Sequence, residues 1–153
     1  MSTKDKKVKR EKLVTGAKIP KNKENPDTYL DKTPVWVFRR CDRESEKWNI
    51  CECENFKRDI LEKLMSFEGM TWGEIQKASG GRQHGTNHHY IKLCDMTKQA
   101  QERALAIRLD VDELFSLRLT GTKRLYGIIN NGVYQMIWYT DEHDICLSEK
   151  KNT

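Results

Sequence analysis

The sequence predicts an α+β domain, and three observations predict it. Residues 55–79 and 97–109 repeat apolar side chains at helical spacing, residues 113–140 switch to runs rich in β-branched, aromatic and leucine residues, and tight-turn residues interrupt that last stretch. The expected layout is an N-terminal strand, two to three helices and a C-terminal three-stranded antiparallel meander, with the helices packed on one face of the sheet.

Residues 1–32 carry few large apolar side chains, spread without period among lysines, Pro20 and Pro26. They read as a disordered basic arm ahead of a single domain, 33–153. Val35, Trp36, Val37 and Phe38 follow Pro34 as a short β-branched and aromatic run, a strand, and Lys47–Cys53 is expected to return beside it as a second one. Phe56, Ile60, Leu64 and Phe67 then make one helical stripe behind a candidate cap, Asn55. Thr71 and Glu74 stand at capping-box spacing, with Gly80 where that helix should stop. Thr97 caps a third helix through Ala100, Ala104, Leu105, Ile107 and Leu109. "ELFSLRL", "KRLYGII" and "VYQMIWY" are the meander, punctuated by Thr120–Gly121 and by Asn130, Asn131 and Gly132, residues that tolerate positive φ. Asp144 to Leu147 either adds a short strand or runs along the surface.

The charge of +5 is unevenly placed: residues 1–23 hold nine Lys/Arg against Asp5 and Glu11, a net +7, which leaves the remaining 130 residues at −2. Attraction to phosphate must therefore come from the arm or from a local patch. No apolar run approaches the roughly 18 to 20 residues of a membrane span, and no apolar leader opens the chain, so a cytoplasmic protein without a membrane partner is expected. Five cysteines, Cys41, Cys51, Cys53, Cys94 and Cys146, then stay reduced, and their spacing is not that of a zinc site.

Three of the four histidines lie in "GGRQHGTNHHY", residues 80–90. Gly80, Gly81 and Gly85 speak against a helix that would aim His84 and His88 at one metal, and no motif calls for a cofactor. As an extended segment it points His88 and Tyr90 to one side and His89 and Ile91 to the other. An imidazole titrating at about 6.5 suits acid–base work on a phosphodiester, with cations to offset charge on the phosphate. His88 and His89 are the first candidates, with Arg82 as a local cation. His143, between Asp141, Glu142 and Asp144, is a second. Arg118, Lys123, Arg124 and Tyr126 cluster around one turn as a cationic and aromatic patch able to hold phosphate and stack a base.

The segment "LRLTGTKRLYGIINNGVYQMIWYTDEHDI", Leu117 to Ile145, resembles the closing half of the RelE/ParE toxin superfamily through Leu119, Gly121, Leu125, Tyr126, Gly127, Tyr134, Ile137 and Tyr139. "GTNHHYI" is similar to the glycine, small residue, His–His segment of HicA-type ribonuclease toxins. The first resemblance implies a small toxin-like protein of bacterial or phage origin: a metal-free, ribosome-dependent endoribonuclease or a non-nuclease relative. RNA or the ribosome is the implied partner, with a protein antitoxin beside it. Two other classes stay open. "LEKLMSFEGMTWGEIQKAS" has the look of the first part of a DNA-binding helix-turn-helix, and a plain protein-interaction module would need neither reading.

Overall fold

The computed structural model describes residues 28–78 and 87–146. Its sheet is built around two tight turns. Asn131 (φ 51) and Gly132 (φ 85) both take the left-handed conformation that a two-residue hairpin between right-twisted strands demands. At the other turn Gly121 does so alone (φ 53). These turns join β3 (Glu113–Thr120), β4 (Lys123–Asn130) and β5 (Val133–Thr140) into the expected antiparallel meander. That meander is the middle of a larger sheet. β2 (His88–Lys92) adds antiparallel to β3, and β1 (Val35–Val37) adds parallel to β5, giving the order β1-β5-β4-β3-β2.

Alternate residues of β3 fall into two separate cores. Phe115, Leu117 and Leu119 join Leu125, Tyr134 and Met136 on one side, while Leu114 joins Tyr126, Ile137 and Trp138 on the other. The first core is roofed by a π-helical turn, Lys57–Leu61, running into α1 (Glu62–Phe67), and by α2 (Trp72–Lys77). The second is roofed by α3 (Lys98–Ala106) through Ala100 and Ala104. Helices thus cover both faces, not one. The cause is in β3 itself, where Leu114, Phe115, Ser116 and Leu117 are buried in succession, as in a strand covered twice.

Gly127 makes the first core possible. A Cβ there would lie 2.4 Å from the Gln135 carbonyl oxygen and 2.9 Å from Tyr134 Cζ. The Tyr134 ring instead crosses β4 at this gap, beside the bulge at Tyr126/Gly127, and its hydroxyl donates to the Phe115 carbonyl at 2.9 Å. The Gly132 carbonyl gathers two more elements, accepting from Val35 N–H at 3.3 Å and from the fully buried Trp72 indole at 2.8 Å. The turn Thr28–Asp31, ahead of Thr33, packs Tyr29 on the same core.

Both predicted side-chain caps of the later helices form: Thr71 and Glu74 make a full capping box on α2, and Thr97 Oγ1 accepts from Ala100 N–H. The expected Asn55 side-chain cap is not seen: the cap position falls on Phe56, without a side-chain bond, and Asn55 contributes its backbone carbonyl, which accepts from Asp59 N–H. Lys47–Cys53 is no strand. Trp48 and Ile50 alternate but fill the two different cores from a loop with a 3₁₀ turn at Ile50–Glu52. Asp144–Cys146 is likewise irregular, and Leu147 lies outside the described residues. Leu105 faces away from the core, 81 % exposed. Asp42 fastens α3 to the sheet: its carboxylate accepts two bonds from Arg103, at 2.6 and 2.7 Å, and one from the Trp138 indole at 2.9 Å. Burial alone would push this carboxyl up, but the bonds from Arg103 and Trp138 hold it below its ordinary range.

Candidate functional site

The β3–β4 hairpin ends in a bulge between Arg118 and Thr120, with Arg118 directly opposite Arg124. Like charges placed across a strand pair repel, so this arrangement works against stability. Each guanidinium is held from behind by neutral acceptors: Arg118 Nη1 donates to Asn87 Oδ1 at 2.7 Å, and Arg124 Nη1 donates to the Gly121 and Lys123 carbonyls at 2.7 and 3.2 Å. Among the described residues no carboxylate forms a salt bridge with either arginine. Burial and the neighbouring Arg118 push Arg124 below its ordinary pKa, though a guanidinium remains a cation at neutral pH. Among the described residues the two half-buried guanidinium groups thus have no salt-bridge partner, an arrangement able to accept an oxyanion.

The register carries the locus onto β2. His89 pairs with Ser116, so by strand alternation His89, Arg118 and Arg124 share one face, the face that α3 covers further along. His89 is exposed there. His88 points the other way, with its ring edge-on to Phe67 at 5.5 Å and Tyr90 edge-on to Phe115 at 5.1 Å, as the alternation predicted. The His88 side chain is buried, and its Nδ1 accepts from the Arg118 backbone N–H at 3.1 Å. Burial first, then the charges of Arg124, Arg118 and His89, lower its pKa to about 4. The imidazole is therefore neutral at pH 7, with the proton on Nε2, and its acceptor nitrogen is already engaged. It is placed to support Arg118, not to reach a substrate.

The other expected site residues are scattered. Lys123 is not a free cation: its Nζ lies 2.8 Å from the Asp59 carboxylate, tying the hairpin to the π turn. Hydrogen bonds from Arg58 and then Lys123 hold Asp59 below its ordinary pKa. Tyr126 is a core residue at 1 % exposure, bonded to Ser116 and pushed up to about 12 mainly by burial, so its ring offers no face to a base. His143 sits in the turn after β5 at φ 58, with Nδ1 2.8 Å from the Cys146 carbonyl oxygen. Arg82 and His84 lie outside the described residues. The stretch directly after α2, where a helix-turn-helix would begin its recognition helix, lies outside the described residues, and the next described element is the strand β2.

Asn87 is the functional candidate that sequence reasoning missed. The only signal was its place one residue before the histidine pair, which becomes informative once the register sets Asn87 and Arg118 side by side. Among the described residues no group of three or more His, Cys, Asp or Glu side chains could hold a metal ion, and no helix is long and apolar enough to cross a membrane. A cleft of about 950 Å³ opens at the other end of β2, lined by Tyr90, Lys92, Leu93, Val111 and Glu113 among others. It is remote in register from the arginine pair. No family model, no curated protein and no solved structure matches the chain.

Proposed function

We propose that the protein binds RNA, gripping the phosphodiester backbone between Arg118 and Arg124 with His89 and Asn87 at the rim. The observation that carries this reading is the opposed arginine pair, each member oriented by neutral acceptors and neither neutralised by a carboxylate among the described residues. Such a pair costs stability unless an anion sits between its members, and phosphate accepts bidentate bonds from guanidinium groups. The resemblance of Leu117 to Ile145 to RelE/ParE toxins supports RNA as the ligand class, and the lysines of residues 1–23 would add sequence-independent attraction. Buried, neutral and with its Nδ1 accepting from Arg118, His88 has no free acceptor to offer a substrate; His89 is the exposed imidazole beside the pair, and the function proposed is binding.

The test is fluorescence anisotropy with a labelled single-stranded RNA across a salt series, comparing wild type with an Arg118→Gln/Arg124→Gln double variant. Loss of two phosphate contacts should flatten the slope of log K against log salt by about 1.4 and weaken binding at least tenfold. Equal binding by the double variant would remove the pair from the interface. Tighter binding to duplex DNA than to RNA would reassign the ligand.

A further inference from the structure

The start of β2 makes two distinct contacts with the same arginine. Asn87 takes the Arg118 guanidinium through its amide oxygen at 2.7 Å, and His88 takes the Arg118 main-chain N–H through Nδ1 at 3.1 Å. The second contact falls where the ladder is weakest: His88 is the first residue of β2, paired with Leu117, and β3 bulges immediately after Arg118. A ring nitrogen there does the work of a strand carbonyl and fixes the main chain from which Arg118 projects. The ring is itself held by Phe67 from α1, so the fixation is passed on from the core.

We infer that Asn87 and His88 form a bracket that pre-orients Arg118 for the phosphate, with His88 a positioning residue acting through the Arg118 main chain and Asn87 one acting on its side chain. This rests on the RNA-binding reading. Its physical content is that the unbound protein already holds Arg118 in one geometry, so binding is spared the cost of freezing a long side chain. Releasing the bracket should weaken binding about three- to tenfold without removing any charge.

Three variants of the full chain separate this from a purely structural role. His88→Leu keeps an apolar side chain beside Phe67 but has no acceptor; His88→Asn restores an acceptor near the Nδ1 position; Asn87→Ala releases only the guanidinium. Each is assayed by RNA anisotropy and by thermal melting, alone and in an Arg118→Gln background. Expected are weaker binding by His88→Leu and Asn87→Ala, recovery of most of it by His88→Asn, and no further loss from any of them once Arg118 is Gln. Losses that persist undiminished in the Arg118→Gln background overturn the bracket, and so does wild-type affinity in both His88→Leu and Asn87→Ala. If His88→Leu fails to fold, Asn87→Ala and His88→Asn carry the same comparison. A readout without RNA is the scalar coupling between Arg118 ¹⁵N and His88 ¹⁵Nδ1 across the N–H···N bond in the free protein. Its absence also overturns the bracket. Failure of the wild type to bind RNA, with that coupling present, sinks the RNA reading and takes with it only the ligand named here.

Discussion

Replacing Asp42 by Ala tests how α3 is fastened over the second core. The carboxylate is 2 % exposed and takes three bonds, two from Arg103 and one from the indole of Trp138, itself completely buried. Removing it leaves the indole N–H without an acceptor in a dry site and the guanidinium without its partner. Breaking a buried pair by deleting one member costs about 3–5 kcal/mol. Arg103 keeps 26 % of its side chain in contact with water and recovers part of its solvation, so about 3 kcal/mol is expected. For a domain of this size that lowers Tm by roughly 10 °C, read by circular dichroism and checked by urea titration. Arg103→Ala should also destabilise, and the double variant should be less damaged than the sum of the singles by about 1–2 kcal/mol. An Asp42→Ala melt within about 3 °C of wild type would refute the argument, because it would mean that neither donor depends on this carboxylate. The pH dependence has a definite sign. Asp42 titrates below its ordinary 3.8, so its contribution is present above pH 3.8 and is lost as pH falls through the lower folded value.

His88 sets a second pH dependence in a different window. Its pKa drops from 6.5 in the unfolded chain to about 4, so stability is full above pH 6.5 and declines toward pH 4, by about 2 kcal/mol at pH 5; urea titrations of wild type should show this fall and those of His88→Asn should lack it. Gly127→Ala drives a methyl group into the Gln135 carbonyl and the Tyr134 ring, and should cost about 2 kcal/mol or more in chemical denaturation. Tyr134→Phe removes the bond from its hydroxyl to the Phe115 carbonyl in the core and should cost about 1 kcal/mol, as should Thr71→Ala, which removes only the α2 cap, by the same assay.

What the sequence made legible was local. Asn131–Gly132 announces a two-residue hairpin by its chemistry, Thr71 and Glu74 announce a cap by their spacing, and the parity of His88 and Tyr90 against His89 and Ile91 needs only the knowledge that the segment is extended. The stripe Phe56, Ile60, Leu64, Phe67 does pack on the first core as one face. What was not legible is what depends on partners distant in sequence. Whether α3 lies on the same face as α1 and α2 is decided by which side of β3 is still bare, although the unbroken burial from Leu114 to Leu117 is the trace of that choice. Trp48 and Ile50 stand two apart as strand residues on one face would, and Trp48 does reach the edge of β5 beyond β1, its carbonyl accepting from Tyr139 N–H, but the chain turns at once at Ile50–Glu52 and the two side chains plug different cores. The site follows the same rule. Arg118 and Arg124 were visible as a pair because one turn joins them. Lys123 is as close in sequence, yet Asp59 claims it from a helical turn that nothing in its own neighbourhood points to.

The position of β5 has a consequence for the order of events in folding. Among the described residues it is the last strand in sequence, and it occupies an interior place, between β4 and β1. Until Val133–Thr140 has left the ribosome, Val35–Val37 has no edge to join, and the Gly132 carbonyl that receives both Val35 and Trp72 does not exist. The helical half must therefore wait for the last turn of the meander with Trp36, Trp72 and Phe67 unburied, a window in which aggregation or capture by a chaperone competes with closure of the sheet.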